Sequence, residues 1–335
     1  MKTILTLLLP VIFLALSACS RQWETAGARE AEALQVVRFD EVVEDFLQTG
    51  TFSSMLRLHT DCAAETRILV EDVLHLGPVG TDEMDQRLRN FYSDSTLLRL
   101  RTDVGRKFKD FSPHERRLKQ AFAALLRQCP GEPLPKIFTL NSALRQSIVV
   151  QGRLVGISLD KYMGADYPLY ADYFYPCQRV GLDASRLPQD CLVYYLLARY
   201  VPDAGSGSLA FGDEMLQRAK VYWTVARVLH LGIGEAATAC KQSREWYAEH
   251  EGEVWKLLSR PENLARRDSA FLTPLLDYTS PRGYFADPAS RGVGLWLGMR
   301  IIDSYMRRHP ETTLPELLKI TDSGHLLREA GYHPA

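Results

Sequence analysis

The chain has 335 residues, 40 basic and 41 acidic side chains, and a formal net charge of -1. That balance holds no cationic surplus to displace counterions from a phosphate backbone, so nucleic acid is excluded as an expected partner. With 46% hydrophobic residues and five tryptophans, the chain has the material for a full core and is no disordered stalk.

Residues 1–18 read as a secretion signal. Lys2 supplies the positive start, Ile4 to Leu16 form an apolar run broken by Thr6 and Pro10, and small residues precede a cleavage point. The run is shorter than the ~20 apolar residues a spanning helix needs. Leu16-Ser17-Ala18-Cys19 has the order of a lipobox, so Cys19 is the expected lipidated residue and the membrane its partner. Ser20 follows, where aspartate commonly marks retention at the inner membrane, which favours the outer membrane and a periplasm-facing body. The expected organisation is signal 1–18, tether 19–35 and one mostly helical domain over 36–335. Cys62, Cys129, Cys177, Cys191 and Cys240 are widely spaced and odd in number. They make no disulfide framework, one bridge is allowed in an oxidising compartment, and their state stays open.

From Val36 to about Gln128 the pattern predicts helices, with Phe39, Val42, Val43, Phe46 and Leu47 at helical spacing. Ser112-Pro113-His114-Glu115 predicts a capped start for a helix running to Gln128. Strand signals cluster between Lys136 and Leu159, in Ile137–Leu140, Ile148–Val150 and Leu154–Leu159, with Gln151-Gly152-Arg153 as a hairpin turn. A small antiparallel sheet between N- and C-terminal helical parts is the expectation, in a predominantly helical α+β fold. Tyr162 to Pro188 reads as a long ordered loop. Asp190 is placed to cap an apolar, buried helix ending at Tyr200, and further helices are expected over Met215–Leu229, Glu235–Ser259 and Leu295–Arg307.

A small sheet followed by a buried helix invites comparison with zinc peptidases, which carry His-Glu-x-x-His on that helix. Asp190 to Tyr200 contains neither histidine nor glutamate, so no metal and no cofactor is expected. No Gly-x-Ser-x-Gly elbow and no phosphate-binding Gly-x-x-x-x-Gly-Lys loop occurs either, and no enzymatic activity is expected. Asp160, Asp190 and Glu214 are the candidate residues of a remnant cleft. Its faces are otherwise expected to be apolar, filled by Tyr, Leu, Cys and Ala side chains. The glycines of Gly292-Val293-Gly294-Leu295-Trp296-Leu297-Gly298 read as steric, letting a helix start pack closely.

Four blocks carry a family resemblance: Arg38-Phe39-Asp40; Val155 to Gly164 followed by Tyr167-Pro168; Ile233-Gly234 with Trp246 and Trp255; and Arg291 to Gly298 with Tyr305-Met306. Their order behind a lipobox resembles the gliding-motility lipoprotein GldB family of Bacteroidetes, over about Arg38 to Leu318. Pro188-Gln189-Asp190-Cys191 and the Gly205–Ser208 loop depart from it. The resemblance implies a cell-envelope protein serving gliding or the associated secretion machinery, with envelope protein partners and a distantly zincin-like layout whose ligands are lost. It makes Gly292, Gly294, Trp296, Gly298 and Tyr305 structural motif positions. Two functional classes remain: a non-catalytic interaction lipoprotein, or an envelope hydrolase with an unrecognised site in the remnant cleft.

Overall fold

The structure is a computed structural model and describes residues 31–81 and 83–334. Cys19 and the signal segment lie outside the described residues. The packed body reaches back into the expected tether, since Ala31 and Leu34 are buried.

Helices dominate, around one four-stranded sheet. Its strands are β1 (Val36–Val37), β2 (Lys136–Leu140), β3 (Ile148–Gln151) and β4 (Leu154–Ser158), in the order β1-β2-β4-β3. The sheet is mixed, which corrects the antiparallel expectation: β1–β2 and β2–β4 are parallel, and only the β3–β4 hairpin is antiparallel. The reason is the loop after β2. Residues 141–147 separate β2 from β3, and it is β4 that pairs beside β2, which leaves β3 at the edge. Strand β1 falls in a stretch expected to be wholly helical. Two residues are too short to show an alternating pattern.

The two faces of the sheet feed different cores, as strand alternation requires. Phe138 and Leu140 join Phe39, Phe46 and the N-terminal helices on one face. Ile137, Val155 and Ile157 join Leu118, Phe122, Leu192 and Leu196 on the other. Helix α1 (Phe39–Thr49) is locked to β2 by the Arg38-Phe39-Asp40 block. Arg38 grips Asp40 through two hydrogen bonds of 2.9 and 2.7 Å, Thr139 Oγ1 donates to Asp40, and Phe39 meets Phe138 edge-on.

The remaining labelled helices are α2 (Ser95–Lys107), α3 (Ser112–Gln128), α4 (Leu187–Tyr200), α5 (Phe211–Val228) and α6 (Val293–Arg308). Ser112 is the first residue of α3 and not its cap; Asp110 accepts from both the Ser112 N–H and its hydroxyl, at 3.0 and 2.6 Å. Helix α4 begins three residues before Asp190, with Pro188 in its first turn. Asp190 is thereby freed from capping. The stretch expected as helices over Glu235–Ser259 is three short ones, Ile233–Ala237, Lys241–Glu249 and Glu251–Leu258.

Helix α5 ties the halves together. Val221, Val225 and Val228 face the sheet-side core, whereas Met215, Ala219 and Trp223 face the C-terminal one. Its pairing with α6 is the most extensive between helices, and the glycine block explains it. A Cβ on Gly298 would lie 2.8 Å from Ala219 Cβ, and one on Gly294 would lie 2.9 Å from the Leu275 carbonyl oxygen. Trp296 and Tyr305 of the same helix are buried, Trp296 against the Tyr247 ring.

Candidate functional site

A cleft of about 580 Å³ lies where β3, α4 and α5 meet. Helix α4 presents Asp190, Tyr194, Leu197 and Ala198 to it, one face at helical spacing. Its Cys191, Leu192 and Leu196 turn into the core. Strand β3 contributes Ile148 and Val150, and α5 contributes Arg218 and Tyr222. The rim comes from the loop around Phe174 and Gln178 and from Asp277–Thr279.

The cleft is not the apolar groove that the sequence predicts. Four cationic side chains, Arg145, Lys161, Arg186 and Arg218, line it against the carboxylates of Asp190 and Asp277. Three tyrosines, Tyr194, Tyr222 and Tyr278, share it. Burial pushes the Tyr222 and Tyr278 hydroxyls up, Tyr278 to about 12, so both stay protonated at neutral pH, while Tyr194 is exposed on the cleft wall. No histidine or cysteine lines the cleft among the described residues.

The three candidate carboxylates do not converge, and only Asp190 reaches the cleft. Asp190 accepts from the Tyr162 hydroxyl at 3.0 Å and faces Arg186 at 3.7 Å. Burial raises its pKa, with Arg186 and the Tyr162 hydrogen bond pulling the other way. Asp160 is fully buried and structural. It accepts from the backbone N–H groups of Ser142 at 3.0 Å and Leu144 at 2.6 Å. It thereby fixes the 141–147 loop in which Ala143 and Leu144 take left-handed φ values of 55° and 63°. Glu214 is buried too, accepting from the Gly205 N–H at 2.9 Å and pairing with Arg218 at 2.8 Å. It anchors the Gly205–Ser208 loop and holds Arg218 from behind.

The residues that make the cleft cationic and aromatic escaped the sequence reading because they come from distant segments. One signal was present: Lys161 follows Asp160 inside a family block. Two other features brace the rim. Cys177 and Cys240 are joined as a disulfide, while Cys62, Cys129 and Cys191 are buried free thiols. Gly292, at φ 75°, lies so close to the Tyr278 backbone that a Cβ would meet its nitrogen at 2.9 Å. A side chain there would push the cleft's tyrosine wall. Among the described residues no three His, Cys, Asp or Glu side chains are grouped to hold a metal ion.

Fold and cleft together define a predominantly helical α+β protein with a polar cleft set between a sheet edge and two helices. The family model for gliding motility protein GldB matches residues 20–334, and the chain belongs to that family. No curated protein and no solved structure matches it. No comparison supports the zincin-like layout that the resemblance implies. Among the described residues no helix is long and apolar enough to cross a membrane.

Proposed function

We infer that this chain is an envelope lipoprotein, anchored through Cys19, that serves gliding motility or the associated secretion machinery as a non-catalytic docking component. The family membership supports the setting. The Cys177–Cys240 bridge supports an oxidising compartment outside the cytoplasm. Ser20 beside Cys19, where aspartate would favour inner-membrane retention, supports an outer-membrane anchor, and a periplasm-facing body is part of the same reading.

The observation that carries the non-catalytic reading is the commitment of the carboxylates. Asp160 and Glu214 are tied to backbone N–H groups away from the cleft. The one cleft carboxylate on α4, Asp190, is flanked by Arg186 and Tyr162, with no histidine or thiol beside it in the lining. What favours a hydrolase instead is the same Asp190, whose raised pKa would suit a proton donor. Elemental analysis of the lipoprotein purified from its own envelope separates the two. Less than stoichiometric metal is expected. Stoichiometric zinc, together with a folded Asp190→Asn variant that loses function in cells, would establish the hydrolase.

A further inference from the structure

Strand β3 is held from one side only. Its register pairs Ile148 with Ile157 and Val150 with Val155, and the Ser158 N–H donates to the Ser147 carbonyl at 2.9 Å. Bonded and non-bonded pairs alternate along an antiparallel ladder. Ser147, Val149 and Gln151 therefore commit their backbone groups to β4, whereas Ile148 and Val150 turn theirs the opposite way. No strand lies on that side, and both residues line the cleft. Open edges are usually blunted by charge, proline, a bulge or extreme shortness. The sheet's other edge, β1, has only two residues. The Ile-Val-Val-Gln run of β3 carries no charge and no proline.

The second observation is an excess of donors in the same space. Lys161, 8% exposed, has no ion-pair partner among the described residues. Its Nζ donates to the Leu144 carbonyl at 3.4 Å and stands 4.0 Å from the Phe174 ring centroid. Among the described residues the buried Nε atoms of Arg186 and Arg218 have no acceptor. The Arg186–Asp190 and Arg218–Glu214 contacts use the ion-pairing capacity of those two residues, and the exposed Arg145 donates to the Val73 and Leu74 carbonyls, which leaves Lys161 as the buried cleft cation without a carboxylate partner among the described residues. Buried donors without acceptors are costly unless something fills the role.

We propose that the cleft receives an extended acidic segment of a partner polypeptide, which pairs with the free edge of β3 and sets a carboxylate against Lys161. This deepens the docking reading above and rests on it. Main-chain pairing to Ile148 and Val150 supplies affinity that tolerates sequence, and the side-chain contacts supply discrimination. Tyr194, Tyr222 and Tyr278 add rigid amphipathic surface at small entropic cost.

The test uses the full-length lipoprotein in detergent micelles. Random peptides displayed on phage are selected on it, and enriched sequences are synthesised with a fluorescent label, each beside a copy with its Asp and Glu changed to Asn and Gln. The expected result is enrichment of proline-free acidic stretches whose amide copies bind about tenfold more weakly or worse. Val150→Pro removes an N–H that faces the open edge and leaves the ladder to β4 in place. It should weaken binding by about tenfold or more, while Val150→Thr, which keeps the N–H, should lose far less than Val150→Pro. Lys161→Met should shrink the difference between acidic and amide peptides severalfold. Absence of enrichment, equal binding to Val150→Pro, or selective binding of muropeptide fragments in place of peptides would overturn the proposal. A peptide that binds as described but is cut on incubation would refute the non-catalytic reading and leave strand pairing standing. Absence of peptide binding would refute strand pairing and leave that reading standing.

Discussion

Gly298→Ala sets two effects of opposite sign against each other. Alanine is favoured over glycine in a helix interior by about 1 kcal/mol, so propensity alone would stabilise α6. Packing opposes it. The new Cβ would stand 2.8 Å from Ala219 Cβ, 3.0 Å from Met215 Cγ and 3.1 Å from the Met215 carbonyl oxygen. Carbon pairs are comfortable at about 3.5–4.0 Å, so several tenths of an ångström must be found. The Met215 side chain can swing aside; a Cβ and a backbone oxygen on a buried helix cannot. Overfilling a packed core costs about 1–3 kcal/mol, and this site belongs at the upper end because α5 and α6 must separate along their shared length. The net expectation is a loss of about 1–2 kcal/mol, or a Tm lower by about 2–3 °C in a body of this size. Thermal and urea unfolding of Gly298→Ala, Ala219→Gly and the double variant measure it. The double variant should be less destabilised than the summed single effects by at least about 0.5 kcal/mol. A higher Tm for Gly298→Ala, or strict additivity, would refute close helix contact as the reason for this glycine.

Three further outcomes follow from named groups. Cys19→Ala should lose fatty-acid label and leave the membrane fraction; equal labelling would sink the lipobox reading. Non-reducing peptide mapping should recover Cys177 linked to Cys240. Because the bridge closes a separation of 63 residues, its loss should cost roughly 4 kcal/mol in the chain-entropy picture, and an unchanged urea midpoint after reduction would contradict that. Lys161 and Lys220 are buried without ion-pair partners among the described residues, and burial lowers both pKa values to about 8 from the usual 10.5. Their charged forms are disfavoured by folding, so the unfolded chain binds more protons between pH 8 and 10.5 and stability should rise with pH across that window. Lys161→Met and Lys220→Met should each flatten this rise in urea titrations at several pH values. Variants with the wild-type slope would show the lysines to be solvated.

Legibility followed the range of the forces involved. The boundaries of α3 were readable because proline, acidic and apolar positions over a few turns set them, yet Ser112 is the first helical residue and Phe111, without a side-chain cap bond, stands at the cap position, which the pattern does not distinguish. The β3–β4 hairpin was readable from β-branched runs around Gly152. The parallel pairing of β2 with β4 was not, since it depends on Asp160 closing a loop 18 residues earlier in the chain. Helix α4 looked apolar all round because tyrosine counts as apolar in a periodicity argument. Only its setting reveals that Tyr194 faces a cleft while Tyr195 sits in the core. The cationic groups come from β-sheet loop, α4 entry and α5, and no local pattern joins Lys161, Arg186 and Arg218.

The most direct test of a working cleft is to fill it without disturbing the core. Ala198 is exposed on the cleft face of α4, so Ala198→Trp adds bulk in the cleft and leaves the buried side of the helix untouched. The measurement is colony spreading and export of surface proteins by the native bacterium carrying Ala198→Trp in place of the wild-type gene, beside a deletion strain. Thermal unfolding of the purified variant should match wild type, because surface substitutions usually change stability by within about 0.5 kcal/mol. The predicted result is a phenotype as severe as deletion from a protein that is folded, lipidated and present at normal level. Wild-type spreading and export by the Ala198→Trp strain would contradict a functional role for the cleft.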